Sequence, residues 1–245
     1  MDSYCHFVRC FEPVIFGNPT NSGHCDLHSA HATKCIMSPN FSVFLIGAIL
    51  FALPVLSFIW WRFGGPDTVS FIILSGGFTA IMDLISSFVV RNYEYPGQSP
   101  LWVFTYIFFG WIGMCGSCLF IAEGILAKRG QDMITQRHLW WRVPLLTAII
   151  AVVLDLFIDP VAVTAGYWVW FVKGNVYYEI PLLNYVGWFV LMFLAPLAWI
   201  PIARYRNWSY WRKAMVSLVV LVPLCLASIV LSLILNNVII AFGLQ

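Results

Sequence analysis

DLFIDPVAVTAGYWVWFVKGNVYYEIPLLNYVGW, residues 155–188, opens with two carboxylates four residues apart at the end of an apolar run. It continues through Tyr167, Trp168 and Trp170 to Tyr177, Tyr178 and Glu179, and it closes on Pro181, Asn184 and Trp188. Acids, aromatics and one amide are gathered into 34 residues of an otherwise apolar protein. Runs of about 20 apolar residues flank the stretch, which is the length that crosses a hydrocarbon core as a helix. The fold expected around it is therefore an all-α, polytopic helical bundle in a membrane.

Composition points the same way. The 245 residues are 61% hydrophobic and only 10% charged, with a mean hydropathy of +0.84. A soluble domain carries about 25% charged residues. The net charge of +2 includes no basic block of the kind that binds nucleic acid, so nucleic acid is excluded as a partner. Of the 12 tryptophans, some belong to interfacial belts, and that many can also line a cavity.

Six spans are expected, at roughly Ser42–Phe63, Thr68–Val90, Leu101–Ala127, Val143–Ile158, Leu182–Ala203 and Ala214–Ile240. The apolar piece Val161–Val172 is short and reads as a re-entrant or seventh helix. Loops after the first, third and fifth spans carry Arg62, Lys128, Arg129, Arg137, Arg142, Arg204, Arg206, Arg212 and Lys213. Arg9, Lys34, Arg91 and Lys173 lie on the other side. Cytoplasmic loops carry the excess of Lys and Arg, so the richer side faces the cytoplasm and both termini face outward. In a bacterial cell the location would be the cytoplasmic membrane.

Residues 1–40 form a polar, Cys/His-rich extension, and 41–245 form one transmembrane domain. The extension lacks the charged start, apolar core and cleavage site of a signal peptide, and Met37 is a plausible alternative start. Facing outward, Cys5, Cys10, Cys25 and Cys35 would meet an oxidising compartment and could pair. His24, His28, His31 and Cys35 would share a face if helical and could ligate zinc, although Ser22-Gly23 argues against a helix there. A disulfide is the stronger expectation, and no metal site is assigned.

Ionisable groups inside spans are costly and are functional candidates by default. Four stand out: Asp83, Glu123, Asp155 and Asp159. Asp155 and Asp159, at i and i+4, share one helix face. Two carboxylates so close in a dry setting cannot both ionise cheaply, so one of them keeps a proton. The pair suits a general acid or a cation site. The structural alternative is that Asp159 ends the helix before Pro160 while Asp155 bonds a neighbouring helix. Asp83 lies mid-span with no Lys or Arg in its stretch, and either a functional acid or an interhelical hydrogen bond fits it. Glu123 precedes Lys128 and Arg129 and could pair with them at the interface. The faces of Trp168, Trp170, Tyr178 and Trp188 would attract a cation, or they belong to an aromatic belt.

Several chemistries drop out. The chain has no G-x-S-x-G, H-E-x-x-H, Walker loop or dinucleotide fingerprint. It also lacks a D-D-x-x-D cluster of the type that holds magnesium on a prenyl diphosphate.

The ordered pattern D-L-x-x-D-P-V-A, G-Y-W-x-W and Y-Y-x-I-P-L-x-N-Y-x-G-W resembles the membrane-bound carotenoid biosynthesis proteins, among them carotenoid 1,2-hydratases and bisanhydrobacterioruberin hydratase. The residues that carry it are Asp155, Asp159, Pro160, Gly166, Trp168, Trp170, Tyr178, Pro181, Asn184, Gly187 and Trp188. Glu179 stands where that pattern commonly has a glycine. The resemblance implies a cofactor-free enzyme that adds water across a terminal double bond of an acyclic polyprenoid drawn from the bilayer. Membrane lipids and other isoprenoid-pathway enzymes are the partners it implies.

The residues suit that chemistry. Protonating a trisubstituted alkene needs an acid kept neutral in a dry pocket, and the crowded Asp155–Asp159 pair supplies one. Asp83 is the next candidate acid. A tertiary carbocation needs electron-rich walls, for which Trp168, Trp170, Tyr178 and Trp188 are placed, and Asn184 could orient water or substrate. Glu123 remains a further substrate-binding candidate. A membrane-bound terpene cyclase would use the same protonation, with an internal alkene or hydroxyl capturing the cation. A proton-coupled transporter or a lipid-binding protein would use intramembrane acids differently, but transporters usually show repeated halves, and none is visible here.

Overall fold

The computed structural model describes residues 39–243 except 173, 175 and 176. The expectations for the extension (its cysteine pairing, its His/Cys metal site and a start at Met37) lie outside the described residues, as do Arg9, Lys34 and Lys173.

Among the described residues, six helices are long and apolar enough to cross a membrane. They are α1 (Phe41–Phe63), α2 (Gly65–Val90), α3 (Pro100–Leu126), α4 (Leu139–Thr164), α5 (Leu182–Ala203) and α6 (Tyr210–Ala241). The protein is an all-α, multi-pass membrane bundle. Its short loops make successive helices antiparallel. The loops after α1, α3 and α5 thus share the Lys/Arg-rich end, and the other loops share the opposite end.

Local chemistry sets the helix ends. The Asn40 side chain accepts from the Ser42 and Val43 N–H groups at 3.2 Å each and so caps α1. Gly64, at φ 90°, releases the chain. Ser99 caps α3, whose first residue is Pro100, where a missing N–H costs nothing. Helices α1 and α3 approach closely because Gly113 and Gly116 lack side chains. A Cβ on either would overlap Phe51 or Val55 of α1.

Helix α2 contains two π-helical turns, Ile72–Gly77 and Ile85–Val90, on either side of the short α segment Phe78–Leu84. Ser75, Thr79 and Ser87 hydroxyls donate to carbonyls one turn back, a pattern that bends helices. π turns are rare and frequent at functional sites, and Asp83 sits between these two.

Helix α4 runs further than expected. Pro160 does not end it, and the helix continues to Thr164. A proline in a helix interior leaves the carbonyl four residues back without its N–H partner. Here that carbonyl belongs to Leu156, and the Tyr177 hydroxyl donates to it at 3.0 Å. The apolar piece at 161–172 is accordingly neither a seventh helix nor a re-entrant one. It is the last turn of α4, a turn at Gly166 (φ 76°) and strand β2 (Val169–Trp170). Strand β2 pairs antiparallel with β1 (Tyr93–Glu94), setting Tyr93 opposite Trp170.

At the Lys/Arg-rich end, Arg62 grips Glu123 with two bonds, of 2.5 and 2.8 Å, and Glu123 also accepts the Met133 N–H at 2.8 Å. Asp67 and Lys213 form a buried ion pair, only 4% and 0% exposed, that ties α2 to α6. The Ser70–Ser217 hydroxyl contact at 2.8 Å reinforces it one turn along. Arg62 and Lys213 are thus partners of acids rather than free loop charges.

Candidate functional site

The opposite end holds the other acids. Asp155 and Asp159 lie near the end of α4, 0% and 1% exposed. One residue joins them: the Asn184 amide nitrogen lies 2.6 Å from Asp155 Oδ2 and 2.9 Å from Asp159 Oδ2, donating to both. Asn184 is in the first turn of α5, which Pro181 starts. Trp168 Nε1 donates to Asp159 Oδ1 at 2.8 Å. Asp159 therefore holds two donors. Asp155 holds one, and its Oδ1 has no hydrogen-bond partner. Among the described residues no cation contacts the pair. Two adjacent carboxylates bound only by neutral donors in a low-dielectric interior favour sharing one proton.

A second carboxylate has a different shell. Asp83 Oδ1 accepts from the hydroxyls of Tyr93 at 2.7 Å and Tyr95 at 2.9 Å, and Oδ2 accepts from Trp111 Nε1 at 3.4 Å. Burial disfavours a charge on this carboxylate, and its three donors work against that cost. Burial first, and then the Asp83 charge, push the Tyr93 and Tyr95 hydroxyls well above the ordinary tyrosine range. Both remain donors at any ordinary pH.

Aromatic contacts join the two centres. The Tyr93 and Trp170 rings lie 4.7 Å apart, those of Trp111 and Trp188 lie 4.5 Å apart, and Tyr95 meets Trp168 edge-on at 6.1 Å. Between them is a cavity of about 260 Å³. Asp83, Tyr93, Trp111, Trp170, Asn184 and Trp188 line its inner part. Val90, Ile229 and Leu233 also line it and are themselves exposed on spanning helices, which places its mouth toward lipid. Drug-sized ligands occupy pockets of about 300–1,000 Å³, so this cavity suits the end of a long chain rather than a whole one.

Asp155, Asp159, Asn184 and Trp168 thus form one cluster, while Asp83, Trp170 and Trp188 face the cavity that Asn184 shares. Asp155 and Asp159 are not part of the cavity lining and meet it through Asn184. Two expected site residues lie elsewhere. Tyr178 is 66% exposed on a loop. Glu123 is at the far end with Arg62 rather than with Lys128 and Arg129. Tyr178 and Glu179 both have left-handed backbone, φ 49° and 60°. This conformation favours glycine and accounts for the glycine expected at position 179.

Sequence reasoning missed Tyr93, Tyr95 and Trp111 as the shell of Asp83. It also missed Tyr185, whose buried hydroxyl lies within electrostatic range of both paired carboxylates. The order Asn184-Tyr185 beside the acids was the available signal for the last.

Comparison with known proteins places the chain against a family of known sequences. The family model described as "Carotenoid biosynthesis protein" matches residues 40–244. No curated protein and no solved structure matches the chain.

Proposed function

Because the chain belongs to the carotenoid biosynthesis protein family, with a role in carotenoid formation, we propose that it is a hydratase of a terminal polyprenoid alkene. The observation that carries this reading is the double role of Asn184, which lines an aromatic, lipid-facing cavity and also binds both members of a proton-sharing acid pair.

In this reading an acyclic chain end enters from the bilayer between α2, α5 and α6. A proton leaves the Asp155–Asp159 pair past Asn184 and adds to the terminal alkene, generating a tertiary carbocation. The Trp111, Trp170 and Trp188 faces surround the positive centre. Asp83 stands across the cavity as the anion that stabilises it. Water then captures the cation.

Cyclisation begins with the same protonation and differs only in the nucleophile. Expression in a host that makes lycopene or farnesylated precursors, with mass spectrometry of the extracted lipids, separates the two. Hydration adds the mass of one water, whereas a product of unchanged mass contradicts the hydratase reading.

A further inference from the structure

A hydroxyl on a membrane helix ordinarily donates to the carbonyl one turn back, because the bilayer offers it no other acceptor. Ser75, Thr79, Ser87, Thr105 and Thr147 all do so. Ser228 and Ser232 of α6 do not, and among the described residues neither hydroxyl has a hydrogen-bond partner. Ser228 is nonetheless only 2% exposed. Four residues apart on one helix, the two serines share a face, and both line the cavity. The unpartnered buried side-chain atoms that are closed off from any space belong to Tyr106, Asp155, Trp170 and Tyr185. The Ser228 and Ser232 oxygens are not among them, so they adjoin open volume.

The rest of the polar wall is engaged. Tyr93 and Trp111 donate to Asp83, Asn184 donates to the acid pair, and the Asn92 amide donates to Ser86 at 3.0 Å. Ser228 and Ser232 are thus the cavity-lining hydroxyls without a protein partner. A hydrocarbon chain end has no use for them. A hydroxyl both donates and accepts, and a water held in an interior needs two to four polar partners. The cavity of about 260 Å³ has room for one water, whose share of liquid volume is about 30 Å³, beside a chain end.

We propose that Ser228 and Ser232 bind the water that captures the carbocation, whose oxygen becomes the hydroxyl of the product. This rests on the hydratase reading and supplies its nucleophile. The alkene π electrons form a C–H bond with the proton of the Asp155–Asp159 pair and leave the neighbouring carbon positive. A lone pair of the held water forms the C–O bond. The surplus proton of that oxygen passes to Asp83, the carboxylate of the cavity wall, at Oδ2, whose bond from Trp111 is the longest of the three at 3.4 Å. Its return to the pair resets the site. One water is added and nothing is oxidised or reduced.

The test is turnover of an acyclic polyprenoid hydrocarbon in heavy water by the full-length protein in lipid vesicles. The substrate carries no oxygen, so water is the one oxygen source for the serines to bind. Hydrated product and deuterium in recovered alkene are both measured by mass. The double variant Ser228→Ala, Ser232→Ala removes both hydroxyls with little change of volume. It is expected to keep deuterium exchange near the wild-type rate, because the cation still forms and collapses by losing a proton. Hydrated product should fall about tenfold, the effect of losing two hydrogen bonds to the nucleophile. Each single variant should shift the ratio part of the way. An unchanged ratio of hydration to exchange in the double variant, or an equal fall in both, overturns the water site while leaving the hydratase reading intact. A wild type that forms no hydrated product overturns that reading and the water site with it.

Discussion

The amide nitrogen of Asn184 lies 2.6 Å from Asp155 Oδ2, on the same residue that forms part of the cavity wall. Removing that amide strips the one donor that Asp155 has and one of the two on Asp159. Asn184→Leu should insert and fold yet turn over about a hundredfold more slowly, the usual cost of losing an aligned donor in a preorganised site. Steady-state kinetics in lipid vesicles checks this, and wild-type turnover would show that Asn184 does not couple the pair to the cavity.

Asp83 is read as an anion held by Tyr93, Tyr95 and Trp111. Deleting one of its three donors should weaken it without abolishing it. Tyr95→Phe is expected to lower kcat about tenfold with KM unmoved, since the interaction strengthens only as positive charge develops. Asp83→Asn should lower kcat much further. A rise in KM alone, with kcat intact, would instead assign Asp83 to substrate binding.

The Asp67–Lys213 pair makes a stability prediction remote from the site. Breaking a buried pair by removing one partner leaves an uncompensated charge, at a cost of about 3–5 kcal/mol. Lys213→Met should therefore lower the melting temperature sharply. The double variant Asp67→Asn, Lys213→Met should recover much of the loss, because no buried charge remains. Thermal unfolding in detergent reads both.

The Tyr93 and Tyr95 hydroxyls titrate above the ordinary tyrosine range, owing to burial first and the Asp83 charge second. A group whose folded pKa lies above its unfolded one is fully stabilising below the unfolded value, here about 10. Above that pH the unfolded chain gives up protons that the folded chain retains, so stability falls. Melting temperature should be insensitive to these groups from pH 7 to about 10 and should decline beyond. The Tyr93→Phe, Tyr95→Phe double variant should decline less steeply.

The bundle was readable because charge is sparse enough for hydropathy alone to mark six spans, and the fifth was read to its present bounds, Leu182–Ala203. Helix α4 was read short at Pro160 because the hydroxyl that donates to the freed Leu156 carbonyl belongs to Tyr177, across a turn that no periodicity reveals. The i, i+4 spacing brought Asp155 and Asp159 onto one face, and the ordered pattern placed Asn184 near them. The shell of Asp83 was hidden for another reason. Its donors come from a loop and from the next helix, and Tyr93 meets Trp170 through strands of only two residues each. Ion pairs such as Arg62 with Glu123 and Asp67 with Lys213 join residues 61 and 146 positions apart. Each partner sits at the edge of a span, where a single sequence cannot distinguish a loop charge from a buried one. Tyr178 belonged to an aromatic-rich run, but its left-handed backbone lies in a loop that leaves the side chain exposed.

The central claim is that the Asp155–Asp159 pair supplies the proton for hydration. The most direct measurement is incubation of wild type, Asp155→Asn and Asp159→Asn, each shown to be membrane-inserted, with an acyclic polyprenoid in oxygen-labelled water, followed by product mass. The account predicts one labelled oxygen per hydrated chain end from wild type and no hydrated product from either variant. Full hydration by both variants, or a wild-type product carrying no labelled oxygen, would contradict it.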